Sequence, residues 1–142
     1  MEPTTADDWS AVAKERGADA EAIAKDRPTS VGSVYMAGYA IECSLKALLQ
    51  KRGIPTPSFG RQGHNLHELW RASGLHFSDL KDEAGNQTFF LQDWDTSLRY
   101  YANFSEIEDI TKGISIKKLI EGAKQLNRFI ETQIRRGKSR RS

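Results

Sequence analysis

The sequence predicts an all-α protein, an antiparallel bundle of four to five helices with a short helix and loops inserted between the second and fourth. Three observations carry this. Apolar residues recur at three- and four-residue spacings through four long segments. Ser, Thr, Asp and Asn caps precede such segments, and Gly or Pro follows them. No alternating pattern of strand length and no 20–50-residue repeat interrupts them.

The first segment, about Asp7 to Lys25, sets Trp9, Val12, Ala13, Ala20, Ile23 and Ala24 at near-helical spacing. Thr5 with Asp8 three residues on reads as a capping box, and Asp7 and Asp8 suit the positive end of a helix dipole. Gly17 is expected to weaken its middle. Arg27-Pro28-Thr29-Ser30 forms a turn and the next cap. From there to about Arg52, Val34, Gly38, Ile41, Leu45, Leu48 and Leu49 make one stripe, and Ala37, Gly38 and Ala40 permit close helix approach. Glu42 and Lys46 form an i,i+4 pair in the favourable orientation. Gly53 stops this helix, and Pro55 and Pro57 prevent its resumption.

Residues 56–63 are a loop. Asn65, with Glu68 three residues later, caps a short helix through about Ser73, which Gly74 ends. A connection over 75–85 leads to a helix expected from about Thr88 to Phe104, where Phe90, Trp94, Leu98 and Tyr101 continue a helical stripe. The last helix, about Ser115 to Arg136, carries Ile116, Leu119, Ile120, Ala123, Leu126, Ile130 and Ile134.

With 142 residues, 38% hydrophobic and 28% charged, the chain fits one soluble domain, residues 1–136, followed by a basic tail, 137–142. No apolar run reaches the ~20 residues of a membrane span. The first residues lack the basic-then-apolar layout of a secretory signal, so a cytoplasmic setting is expected. Cys43 is the single cysteine, which excludes an internal disulfide and a cysteine-based zinc site. The charge of +2 is uneven: Arg135, Arg136, Lys138, Arg140 and Arg141 occupy the last eight residues, leaving 16 basic and 19 acidic residues in the remainder. These five can release counterions from a nucleic-acid backbone, or they are a solvated terminus that keeps the chain soluble.

Gly-rich phosphate loops, GxSxG and HExxH are absent. Cys43, within a helical stripe, reads as a buried and inert thiol. His64 and His67, beside Glu68, are too few for a metal site, and no cofactor is expected. His64 either serves as a general acid or base or fixes its loop. Arg99 and Tyr100 lie beside an apolar stripe, so Arg99 faces a phosphate, a dimer seam or an acidic side chain, with Glu42 the natural internal partner.

Tyr35-Met36-Ala37-Gly38-Tyr39-Ala40-Ile41-Glu42-Cys43-Ser44-Leu45-Lys46-Ala47-Leu48-Leu49 resembles the second-helix signature of HEPN-domain proteins. Gly63-His64-Asn65-Leu66-His67-Glu68-Leu69 and, more loosely, Trp94-Asp95-Thr96-Ser97-Leu98-Arg99-Tyr100 extend the likeness in order. The resemblance implies a compact helical bundle of HEPN type, usually a homodimer. It further implies a role in toxin–antitoxin or phage-defence systems as a metal-independent ribonuclease or as a nucleotide- or RNA-binding module, sometimes beside a nucleotidyltransferase or nuclease partner. Family ribonucleases place a His four to six residues beyond an Arg on a late helix, and two such motifs meet across the dimer.

Here the pattern breaks: after Arg99 those positions hold Phe104, Ser105 and Glu106. Arg61 with His67 and Arg71 with His76 have suitable spacings but fall in the insertion. Three functions follow as expectations. The first is a non-catalytic module whose polar groove uses Glu42, Lys46 and Tyr100 together with His64 and Arg99. The second is a ribonuclease in which His64 and Arg99 are the catalytic pair, and the third is a purely structural assembly domain.

Overall fold

The computed structural model describes residues 3–56, 66–82 and 84–136. Three long helices dominate: α1 (Ala6–Asp26), α2 (Val31–Arg52) and, at the end of the chain, α6 (Ile116–Arg136). Between them lie three short helices, α3 (Leu66–Ala72), α4 (Thr88–Gln92) and α5 (Glu108–Thr111), and 3-10 turns at Phe77–Asp79, Thr96–Tyr100 and Phe104–Ile107.

The helix ends follow the local signals. The Thr5 hydroxyl accepts the Asp8 backbone N–H at 3.0 Å, and Ser30 accepts that of Gly32 at 3.0 Å, so both long N-terminal helices start on a side-chain cap. Gly53 ends α2 at φ 70°, the left-handed conformation that glycine adopts without a Cβ penalty. Helix α1 runs unbroken through Gly17, where an added Cβ would make only an ordinary contact with Ala40 of α2 at 4.0 Å.

α1 and α2 are antiparallel, with Gly17 facing Ala40 and Trp9 lying under Lys46. α1 also opposes α6, since Glu21 pairs with Lys124 at 3.1 Å. Helix α6 therefore runs in the same direction as α2. The Ser44 hydroxyl donates to Asn127 Oδ1 at 2.8 Å, and farther along, Arg52 borders one cavity with Phe129, Gln133 and Arg136. The long 53–115 connection makes this possible, because it carries the chain back along the bundle before α6 begins. One core joins all elements, built from Ile41, Leu45, Leu48 and Leu49 of α2, Leu66 and Trp70 of α3, Phe90 of α4, Leu98, Ile107, and Leu119, Leu126 and Ile130 of α6.

The helix expected over Thr88–Phe104 does not form as one piece. α4 ends at Gln92, and the chain continues through two 3-10 turns. Asp95 caps the first by accepting the Ser97 N–H at 2.6 Å, and Asn103 caps the second by accepting that of Ser105 at 2.9 Å. Leaving the helix turns Trp94 into a notch on α2. A Cβ at residue 38 would sit inside the indole's van der Waals envelope. The indole N–H donates to the Val34 carbonyl at 3.1 Å, and the ring stacks on Tyr35 with centroids 5.9 Å apart. The Phe104 N–H then donates to the Thr29 carbonyl at 2.9 Å, tying this segment to the α1–α2 turn.

A second glycine seats the segment before α4. A Cβ at Gly122 would lie 2.7 Å from the Asn86 backbone, whose side chain donates to the Lys118 carbonyl at 2.9 Å. The Asp82 carboxylate, not singled out from the sequence, accepts the Thr88 N–H and hydroxyl at 2.6 Å each and starts α4.

The notch makes a prediction. Gly38→Ala should destabilise the protein by about 1–3 kcal/mol, the usual range for overpacking a filled core. A lower urea midpoint together with altered Trp fluorescence checks this. An unchanged midpoint would mean that the indole does not occupy the notch in solution.

Candidate functional site

Helix α2 carries one polar face within an otherwise apolar helix. Tyr35, Tyr39, Glu42 and Lys46 recur at four-, three- and four-residue steps, which places them on one side over three turns. At its lower part the Lys46 ammonium sits 2.9 Å from Glu42 Oε2, with Glu42 only 1% exposed. The Trp9 ring of α1 lies 5.0 Å from the Lys46 nitrogen, so the pair is capped by a cation–π contact. Two charges taken out of water require such close pairing, because an unpaired buried ion is costly.

At the upper part, Arg99 and Tyr100 project from the Thr96–Tyr100 turn. The Arg99 guanidinium lies 4.9 Å from the Tyr100 ring centre and donates to the Tyr100 hydroxyl at 2.9 Å. Hydrogen bonding to Tyr100, and then to Tyr35, raises the Arg99 pKa further above its ordinary value, so the group is a permanent cation. Tyr100 is 75% exposed, and Tyr101 beside it is also an exposed large side chain. Tyr35, braced from behind by Trp94, completes an aromatic and cationic platform. The Glu42–Arg99 ion pair expected from the sequence is not the pairing that forms. Glu42 takes Lys46, and Arg99 takes Tyr100 and Tyr35.

The expected groove residues therefore divide. Glu42 and Lys46 are interior and brace the α1–α2 contact, whereas Arg99 and Tyr100 stand at the surface. His64, the other proposed catalytic residue, lies outside the described residues, as do Arg61, Asn65, Lys138, Arg140 and Arg141; Arg135 and Arg136 end α6. The two described histidines sit far from Arg99. His67 stacks on Phe77 at 5.5 Å, and His76 borders a cavity with Arg52 at the other end of α2. Tyr35 and Arg52 are 17 positions apart, about 25 Å of helix. Arg71 pairs with Glu68 at 3.4 Å, at the surface of α3.

The position where a histidine would follow Arg99 is committed elsewhere. Glu106 Oε1 accepts the Ala102 and Asn103 N–H groups at 2.9 Å each, and Phe104 packs against the core. No group of three or more metal-ligating side chains occurs among the described residues. A groove of about 710 Å³ between α1, the 103–108 segment and α6 is floored by Ala24, Phe104, Ile116 and Ile120, and is lined by none of Glu42, Lys46, Arg99 and Tyr100.

Cys43 is fully buried. Burial, and then the nearby Glu42 charge, push its thiol up to about 12, so it is no nucleophile at neutral pH. Tyr39, hydrogen-bonded to Cys43, is raised in the same direction, mainly by burial.

Sequence reasoning passed over Tyr35, Tyr39 and Trp9 as site residues. The i, i+4, i+7, i+11 recurrence of polar side chains on α2 was the available signal. For Trp9 no local signal existed, since its partner is 37 positions away.

A helical bundle with an α2-centred polar face and a late Arg-bearing turn defines the class of protein. The chain belongs to the HEPN family, whose domain profile matches residues 6–133. Neither a curated protein nor a solved structure matches it. No described helix is long and apolar enough to cross a membrane.

The Cys43 shift fixes a pH dependence. Its folded pKa lies above the ordinary value of 9.0, so the fold prefers the neutral thiol. That contribution is complete below about pH 9 and is lost as the pH rises toward 12. The urea midpoint should fall over this window, and Cys43→Ala should reduce the fall. At pH 8 iodoacetamide should label Cys43 only after denaturation; rapid labelling of native protein would contradict the burial.

Proposed function

We propose that this HEPN domain is a non-catalytic, homodimeric module that binds single-stranded RNA through the Arg99–Tyr100 platform, in a toxin–antitoxin or phage-defence setting. The observation that carries the reading is the exposed Tyr100 ring with the Arg99 guanidinium held over it. Unpaired bases stack on tyrosine rings and arginine planes, each stack contributing about 1–3 kcal/mol, and the guanidinium adds attraction to phosphate. Family membership supports the nucleotide- or RNA-related role and the dimer.

Proton bookkeeping supports the non-catalytic part of this reading. Metal-free RNA cleavage needs a group to take the 2′-hydroxyl proton and one to protonate the leaving oxygen. The hydrogen-bond partners of Arg99 are Tyr100 and Tyr35, and Glu106, at one of the positions where a histidine would follow, accepts two backbone N–H groups. Arg99 by itself stabilises charge but moves no proton.

Fluorescence anisotropy with labelled oligoribonucleotides tests the reading. Wild type should bind, and the double variant Arg99→Ala, Tyr100→Ala should bind at least tenfold more weakly with unchanged helical circular dichroism. Equal binding by the double variant would refute the platform. RNA cleavage in EDTA that disappears in Arg99→Ala and in His64→Ala would replace this reading with the ribonuclease one. Sedimentation equilibrium should give a mass of twice the chain, and a monomer would remove the homodimer from the proposal.

A further inference from the structure

Helices α1 and α6 flank α2 without closing over it, and an open furrow runs between them. Its wider stretch is the groove of about 710 Å³ floored by Ala24, Phe104, Ile116 and Ile120. It continues into a second stretch of about 310 Å³ walled by Ala13, Ala20, Ala37 and Ala123. Glu21, Ile120 and Lys124 border both stretches, so the two form one surface, bridged at mid-length by the Glu21–Lys124 ion pair at 3.1 Å. The furrow stays open because many of the side chains facing across it are small. Its apolar walls gain free energy from a surface that removes them from water.

The charges on the α6 rim identify that surface. Lys117, Glu121, Lys124, Arg128 and Glu131 recur at four-, three-, four- and three-residue steps, and all five are exposed and line the furrow. Such steps place them along one side of the helix over about 21 Å. Laid antiparallel on its own copy and centred on residue 124, this row sets Lys117 against Glu131 of the partner. Glu121 then meets Arg128 of the partner, and the two-fold axis repeats both pairings. Lys124 alone meets its like, and it is already held by Glu21 of its own chain. Two carboxylates among five rim positions make the row a poor match for a polyanion.

We propose that this furrow is the homodimer interface, with α6 of one protomer packed antiparallel on α6 of its partner across a two-fold axis at Lys124. The inference rests on the homodimer proposed above and names its surface. The apolar floor supplies the burial, and the charge row fixes direction and register. A slide of one turn toward the C-terminus would set Glu121 against Glu131 and Lys124 against Arg128, like against like.

Sedimentation equilibrium of the full chain and its variants, each checked for unchanged helical circular dichroism, tests this. Glu131→Lys should weaken the dimer at least tenfold, because the symmetry turns two attractive pairs into repulsive ones. Lys117→Glu should do the same. The double variant Lys117→Glu, Glu131→Lys exchanges the signs of both pairs and should regain the wild-type affinity within about threefold. Residues 117 and 131 stand about 21 Å apart along one helix, so such a rescue is intermolecular. Lys124→Cys in a Cys43→Ala background should oxidise to a covalent dimer.

A dimeric wild type that Glu131→Lys leaves undiminished, or a charge exchange that fails to restore it, overturns this interface and leaves the homodimer standing. Failure of Lys124→Cys to cross-link overturns the register. A wild type that is monomeric throughout overturns the interface together with the homodimer. Arg99→Ala, Tyr100→Ala should keep the wild-type dimer, so RNA binding and dimerisation are separate results.

Discussion

The indole of Trp94 lies against α2 where residue 38 has no side chain, and the position of the surface site depends on that contact. The indole N–H donates to the Val34 carbonyl, and the backbone departs from the direction of α4 at this point. The chain must leave the helix at Asp93 and restart on the Asp95 cap. That restart is a 3-10 turn, wound more tightly than an α-helix, and in it Arg99 and Tyr100 stand beside Tyr35, itself stacked on the same indole. One glycine on α2 thus determines where a cation and two aromatic rings stand on the surface.

The three long helices were legible because each sets amphipathic spacing between local stop and start signals. Gly53 and Ser30 bracket α2 as the sequence implies, and Ile116 through Ile130 give α6 its buried side. The segment 88–104 was misread for a physical reason. Phe90, Trp94 and Leu98 are all buried, so their spacing satisfies a helical template, yet burial alone does not require one continuous helix. The corrective signal was present in Asn103 with Glu106 three residues on, a capping pattern that marks a restart. Asp95 followed by Thr96 and Ser97 is a second one.

Charge was legible as spacing but not as depth. Glu42 and Lys46 read as an i,i+4 pair in the favourable orientation, which on an exposed helix contributes only a few tenths of a kcal/mol. Lys46 is covered by Trp9, which belongs to another helix and lies far away in sequence. The same non-locality hid the Arg52–His76–Arg136 cavity, since only the parallel course of α2 and α6 brings those residues together. A chain-order reading favours antiparallel neighbours. Nothing local in α6 shows that 53–115 returns along the bundle before it starts.

That parallel course also decides how the basic end is to be understood. Helix C-termini carry partial negative charge, about half an elementary charge each, and cations near them are stabilised for that reason alone. Two such ends amount to about one negative charge. Lys51, Arg52, Arg135 and Arg136 bring four positive charges to them, before the tail is counted. Asp79 at the rim offsets one more. Dipole compensation therefore accounts for part of the basic end. Arg52, which also donates to the Ser73 carbonyl, therefore ties the end of α2 to the segment after α3 as well as compensating its own helix end.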